Sequence, residues 1–149
     1  MIKFTVEGEP QGKGRARSFM RKPKQWEEMG FGPMPKIGHY TPKDTRAYET
    51  LIRDTAWLAM QGHEMFEGAV RLEILAVFSV PKSWSIRKRE AALNGQVFHT
   101  SRPDADNILK AFKDAMNGVV YRDDSRVVEG MFAKLYGAAP SVSVTVMPL

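Results

Sequence analysis

The chain has 149 residues, 43% of them hydrophobic and 26% charged, and 22 Lys and Arg against 17 Asp and Glu give a net charge of +5. That is enough chain for one domain with a sizeable core, and the balance argues against wholesale disorder. With no cysteine, disulfides, thiolate zinc sites and cysteine nucleophiles are excluded, and the three scattered histidines (His39, His63, His99) make a histidine-rich metal centre improbable.

The opening residues Ile2 to Glu7 alternate as a strand, with Ile2, Phe4 and Val6 on one side. An acid within nine residues and no long apolar run argue against a signal peptide. From Gly8 to about Tyr40 the chain is rich in Gly and Pro and reads as a long irregular loop, of the kind that tends to carry function. It holds Lys13, Arg15, Arg17, Arg21, Lys22 and Lys24 with no acid between Pro10 and Trp26. Thr41 as a cap, Pro42 at the first helical position and Asp44 in the first turn predict a helix to about Gln61, with Tyr48, Leu51, Ile52, Thr55 and Ala59 buried.

Ala69 to Val80 predicts a strand with Val70, Leu72, Ile74, Ala76, Phe78 and Val80 on one face, and its apolar second half suggests a central position. This most apolar stretch is too short and too interrupted to span a bilayer, so no membrane role and a cytoplasmic setting are expected. Ser83 to Leu93 reads as a short basic helix, followed by a brief extended piece at Gln96 to His99. Asp104 to Met116 is the cleanest helix, with Ala105, Ile108, Leu109, Phe112, Ala115 and Met116 on one stripe and Asn117-Gly118 closing it. Strands at about Val127 to Leu135 and Val142 to Met147 complete the chain. The expected fold is one α+β domain over 1–149, a small mixed sheet packed with two to three helices, carrying the basic loop at about 8–40.

The acids of Arg102 to Ser125 are where chemistry is expected. Asp104 and Asp106 stand at a helix mouth, Asp123 and Asp124 follow a short apolar run, and Asp106, Lys110 and Asp114 share one helix face. Taken singly, an Asp-x-Asp before a helix is usually a cap and an Asp-Asp-Ser usually a turn. Taken together in a basic chain, carboxylates that repel one another fit a hard divalent cation with oxygen ligands. Such an ion beside basic surface suits phosphodiester hydrolysis, with Lys110 as the candidate to offset transition-state charge. The six cations from Lys13 to Lys24 are expected to track DNA phosphates, and Arg102 is counted with them.

The string Arg102-Pro103-Asp104-Ala105-Asp106-Asn107-Ile108-Leu109-Lys110, followed by Asp114-Ala115-Met116-Asn117-Gly118-Val119-Val120-Tyr121 and Asp123-Asp124-Ser125, closely resembles the RusA family of Holliday-junction resolvases. So do the Pro-Gln-Gly-Lys-Gly-Arg-Ala-Arg loop after the first strand and the run from Tyr40 to Glu49. The resemblance implies a homodimeric endonuclease, frequent in phages and prophages, that needs Mg²⁺, for which Mn²⁺ substitutes, and resolves four-way DNA junctions by paired symmetric nicks. By motif it assigns the metal to Asp104, Asp106 and Asp124 and makes Lys110 the essential lysine. Asp123 and Asp114 match family acids without an assigned role, and the insertion carrying Trp26 and Phe31 departs from the family core. The competing readings are a non-catalytic DNA-binding protein and a nuclease of broader branched-DNA specificity.

Overall fold

In β1 (Ile2–Glu7) the residues Ile2, Phe4 and Val6 are buried and Lys3, Thr5 and Glu7 exposed, the alternation of a strand covered on one side. It runs antiparallel to β6 (Ser141–Pro148), with Phe4 opposite Val144 and Val6 opposite Val142. β6 also pairs antiparallel with β4 (Val70–Ser79), and β4 pairs in parallel with β5 (Val127–Gly137). The order β1-β6-β4-β5 makes a mixed four-stranded sheet and puts β4 inside it, as its apolar run predicts. The computed structural model describes residues 1–14, 17–21, 36–40 and 42–149.

One sheet face is the core. Val70, Leu72, Ile74, Ala76 and Phe78 meet Val142, Val144 and Val146 there, under α1 (Lys43–Ala59) and α3 (Ala105–Met116). On α3 the buried residues are Ile108, Ala111, Phe112, Ala115 and Met116, close to the expected stripe, with Leu109 only partly covered and Ala105 exposed. A parallel pair such as β4 and β5 needs a crossover, and this one carries α2 (Ile86–Leu93) and α3. The crossover returns antiparallel to the strands, so the start of α3 lies at their carboxyl ends, where α/β sheets form ligand crevices. The chain is a single α+β domain, as expected.

Five local expectations are corrected. The segment 8–40 is not irregular throughout: β2 (Arg17–Arg21) and β3 (Lys36–Tyr40) pair antiparallel as a second, two-stranded sheet. Neither strand alternates in hydropathy, so the pairing left no periodic signal. Pro42 is the residue preceding α1 rather than its first helical residue, and Thr41, the expected cap, lies outside the described residues. The buried stripe of α1 is Thr45, Tyr48, Ile52 and Ala56, which leaves Leu51 46% exposed. Small residues at 45 and 56 let the helix approach its neighbours on that side, a choice that hydrophobicity alone does not make. Finally, α2 begins at Ile86, where Ser85 Oγ accepts the Lys88 N–H at 3.2 Å, and residues 96–99 form no strand. Among the described residues no helix is long and apolar enough to cross a membrane.

Candidate active site

The site grows from the mouth of α3. Asp104 occupies the N-cap position with extended backbone, φ −71° and ψ 152°, and its carbonyl accepts the Ile108 N–H at 3.2 Å. Its carboxylate makes no capping bond. Asp106 follows in the first turn, exposed, where a negative charge faces the positive end of the helix dipole. Among the described residues neither carboxylate has an ion pair or side-chain hydrogen bond. An Asp at an N-cap normally spends its oxygen on a backbone N–H; here both acids keep theirs available.

The loop after β1 closes one wall. Lys13 N–H donates to the Asn107 carbonyl at 3.0 Å and Gly14 N–H to Thr45 Oγ1 at 3.2 Å, pinning the loop between the starts of α3 and α1. The fit excludes side chains. A Cβ at Gly12 would stand 3.0 Å from the Cβ atoms of both Asn107 and Pro103, and one at Gly14 would stand 2.4 Å from Thr45 Oγ1. Gly12, Lys13, Arg102, Pro103, Asp104 and Asn107 line the resulting cleft of about 590 Å³.

Asp114 gathers the cations on the outer face of α3. Lys13 Nζ bonds its Oδ2 and lies 3.3 Å from Glu49 Oε1, while Lys110 Nζ approaches the same Oδ2 at 3.4 Å. Burial pushes the Asp114 carboxyl up, but the hydrogen bond and charge of Lys13, with Lys110 behind them, outweigh burial and hold it below the usual carboxylate range. Burial likewise pulls Lys13 down, and its bonds to Asp114 and Glu49 override that and raise it. The spacing of Asp106, Lys110 and Asp114 therefore reports a real shared face.

Asp123 and Asp124 divide their work. Asp123 Oδ1 accepts the Ser125 N–H at 3.0 Å and caps the 3₁₀ turn Asp124–Arg126. Asp124 Oδ2 instead lies 3.3 Å from Lys113 Nζ, on the third turn of α3. Seven residues separate Asp106 from Lys113, about 10 Å along a helix axis. Among the described residues no three carboxylate or imidazole groups stand close enough together to hold a metal ion. The structure thus places Asp104, Asp106 and Asp124 around one helix without bringing them into one cluster.

A family model described as Endodeoxyribonuclease RusA matches residues 7–147. The chain belongs to the RusA endodeoxyribonuclease family. It is also 32% identical over 149 residues to the uncharacterized protein YqaN of Bacillus subtilis (strain 168), covering 97% of this chain and 94% of that one.

The remaining residues expected from sequence are spread differently. Lys13 is engaged with Asp114 and Glu49, Arg102 is exposed on the cleft wall, and Arg17 and Arg21 fall on β2. Arg15, Lys22 and Lys24, and with them Trp26 and Phe31, lie outside the described residues. Sequence reading missed Lys113 as the partner of Asp124, and it missed Lys134. The ammonium of Lys134 on β5 donates to the carbonyls of Ser101 at 2.6 Å and Pro103 at 2.9 Å, clamping the strand of chain that delivers Asp104. No local pattern announces a lysine acting across 31 and 33 residues. Gly12-Lys13-Gly14 did carry a signal, two glycines flanking a cation where backbone must pass close to backbone.

Proposed function

We propose that this RusA-family chain is a divalent-metal-dependent endodeoxyribonuclease that resolves four-way DNA junctions by paired symmetric nicks, acting as a homodimer in the cytoplasm of a bacterial or phage-infected cell. The observation that carries the reading is the pair of unspent carboxylates at the mouth of α3, Asp104 on the wall of an open cleft that also carries Arg102, and Asp106 in the first turn beside it. A capped helix with no further role would use Asp104 on its own backbone.

The donor chemistry fits a hard cation. Asp104 and Asp106 offer unengaged carboxylate oxygens, and Asp124 is held by a single lysine side chain, whereas Asp123 is occupied by the Ser125 N–H. Mg²⁺ or Mn²⁺ takes such oxygens together with water and substrate phosphate. By motif Asp104, Asp106 and Asp124 would hold it, and to do so Asp124 would have to leave Lys113 and move towards the mouth of α3. When bound there, the cation supplies polarisation of the phosphodiester and a more acidic water.

Lys110 is the residue for developing negative charge on the phosphate. Its side chain is 61% exposed and its pairing with Asp114 is a surface (i, i+4) contact, worth about 0.3–0.5 kcal/mol. Asp114 keeps Lys13 when Lys110 swings away, so the movement leaves no carboxylate stranded. Arg102 meets the backbone phosphates without reading sequence. A twofold dimer presents two equal sites to a twofold junction, which is what paired nicking requires.

The test is a labelled four-way junction beside a linear duplex of the same sequence, each with and without Mg²⁺. Symmetric nicks in the junction alone support the reading. Equal cutting of both substrates identifies a broader nuclease, and binding without nicks in Mg²⁺ identifies a DNA-binding module.

A further inference from the structure

A second cleft, of about 450 Å³, opens beside the first and shares Arg102 and Pro103 with it. Its walls are rings carried by four separate segments: Phe78 on β4, Trp84 before α2, His99 before α3 and Tyr136 on β5. His99 lies flat on Phe78, centroids 3.6 Å apart and planes 11° apart. Tyr136 tilts against His99 with centroids 5.2 Å apart, and it meets Trp84 edge-on, also at 5.2 Å. Phe78 is buried, but Trp84, His99 and Tyr136 are only half-buried. The run of rings therefore leads from the core out to an open wall at the carboxyl ends of the two parallel strands.

The polar groups of this cleft select among ligands. Glu9 stands on its rim, anchored by the Ser79 hydroxyl and by the Ser79 N–H at 3.3 Å. A carboxylate there repels phosphate and accepts from amino groups. Burial first, and then the charge of Lys134, push the His99 imidazole below its ordinary range, which favours the uncharged ring. Its Nδ1 is buried and has no hydrogen-bond partner among the described residues. Cations surround the rings without closing the cleft: Lys88 Nζ sits 3.8 Å from the centre of the Trp84 ring, and Arg102 stands on the edge shared with the acidic cleft.

We propose that this aromatic cleft receives one unstacked nucleobase of the DNA substrate, from a nucleotide neighbouring the phosphate that enters the acidic cleft, with Arg102 on the backbone between the two. That the ligand is DNA rests on the nuclease reading above. A planar base with π-faces and N–H donors on its edge, including the N3–H of thymine, matches ring walls with a carboxylate at the rim, and stacking of this kind tolerates any base. Bases at a branch point are easier to unstack than those of a closed duplex, so the cleft favours branched or single-stranded DNA over linear duplex.

The experiment has two arms on the full chain. In the first, 5-iodouracil is placed in turn at nucleotides around the branch of a synthetic junction and, separately, along a short oligothymidine. Each is irradiated with the protein without divalent metal, and the cross-linked peptides are mapped by mass spectrometry. Cross-links at Trp84, His99 or Tyr136 are expected, and cross-links confined to other residues overturn the proposal. In the second arm, Tyr136→Leu and Trp84→Leu are expected to weaken oligothymidine binding by roughly 5- to 150-fold, while Tyr136→Phe retains it. Wild-type affinity in both leucine variants overturns the proposal, and if those variants fail to fold the cross-links on the wild type decide. Cleavage is scored separately. A protein that loses oligothymidine affinity in these variants but never nicks a junction keeps the aromatic cleft and refutes the nuclease reading, whereas one that nicks but shows neither effect does the reverse.

Discussion

Lys113 and Asp124 form an ion pair, Nζ to Oδ2 at 3.3 Å, that ties the third turn of α3 to the 3₁₀ turn before β5. In the proposed set of Asp104, Asp106 and Asp124, the lysine would compete with a cation for the third acid. A partly exposed pair of this kind is worth about 0.2–1 kcal/mol. Replacing Lys113 by Met removes the competitor, so the Mg²⁺ concentration giving half-maximal cleavage is expected to fall by about 1.4- to 5-fold. A metal titration of cleavage rate checks it, and an unchanged or higher requirement speaks against competition for Asp124.

The Lys13–Asp114 contact fixes the sign of a pH effect. Asp114 has a lowered value in the folded chain, so its stabilisation is complete above the unfolded value of about 3.9 and disappears as pH falls through the lower folded value. Lys13 has a raised value, so its share holds below about 10.4 and is lost as pH rises through the higher folded value. Lys13→Met is expected to cost about 1.5–3 kcal/mol near neutrality, because hydrogen bonds to charged groups are lost. The gap in melting temperature between wild type and variant then narrows below about pH 4, as thermal melts across pH reveal. Cleavage by the variant is also expected to slow, since Asp114 then depends on Lys110 alone.

Gly14 has no room for a methyl group. A Cβ there would sit 2.4 Å from Thr45 Oγ1, the atom that accepts the Gly14 N–H. Gly14→Ala must shift the loop and break that bond, at about 1–3 kcal/mol. For a chain of this length the melting temperature drops by about 2–4 °C per kcal/mol. Gly8→Val is the wrong control, because its positive φ of 103° strains any side chain even though no atom is near; Gly68→Ala, with open space around it, is the right one and is expected to leave stability nearly unchanged.

Lys134 acts on Asp104 through the backbone. Its two bonds to the Ser101 and Pro103 carbonyls hold the segment that ends at the acid. Lys134→Met keeps the side-chain bulk and loses both donors. The expected outcome is a lower kcat with KM little changed and a wild-type far-ultraviolet circular dichroism spectrum. A rise in KM alone assigns Lys134 to DNA contact instead.

Much of this architecture is legible in sequence where burial is periodic. The buried positions of β1, β4 and β6 and nearly all of those on α3 follow directly from alternation and helical spacing, because each element buries one continuous face. The α1 stripe was less legible, since Leu51 satisfies the pattern yet points away while Ala56 is wholly buried. The acids were legible as types in a motif, and the division between Asp123 and Asp124 only as a local turn. What no pattern announces is contact between distant segments: Lys113 with Asp124, Lys134 with the Pro103 carbonyl, or four rings from four segments in one wall. These depend on the crossover that sets α3 against the ends of β4 and β5.

The acids at the mouth of α3 and in the following 3₁₀ turn are proposed to cut DNA with a divalent ion. The most direct measurement compares wild type, Asp106→Asn and Asp124→Asn on a synthetic mobile four-way junction with Mg²⁺, scoring binding by gel shift and nicks on a denaturing gel. All three proteins are expected to bind, and the wild type alone is expected to make paired nicks, as this role for the acids requires. Cutting by either variant at the wild-type rate, or an intact junction after incubation of the wild type with Mg²⁺ and with Mn²⁺, would contradict it.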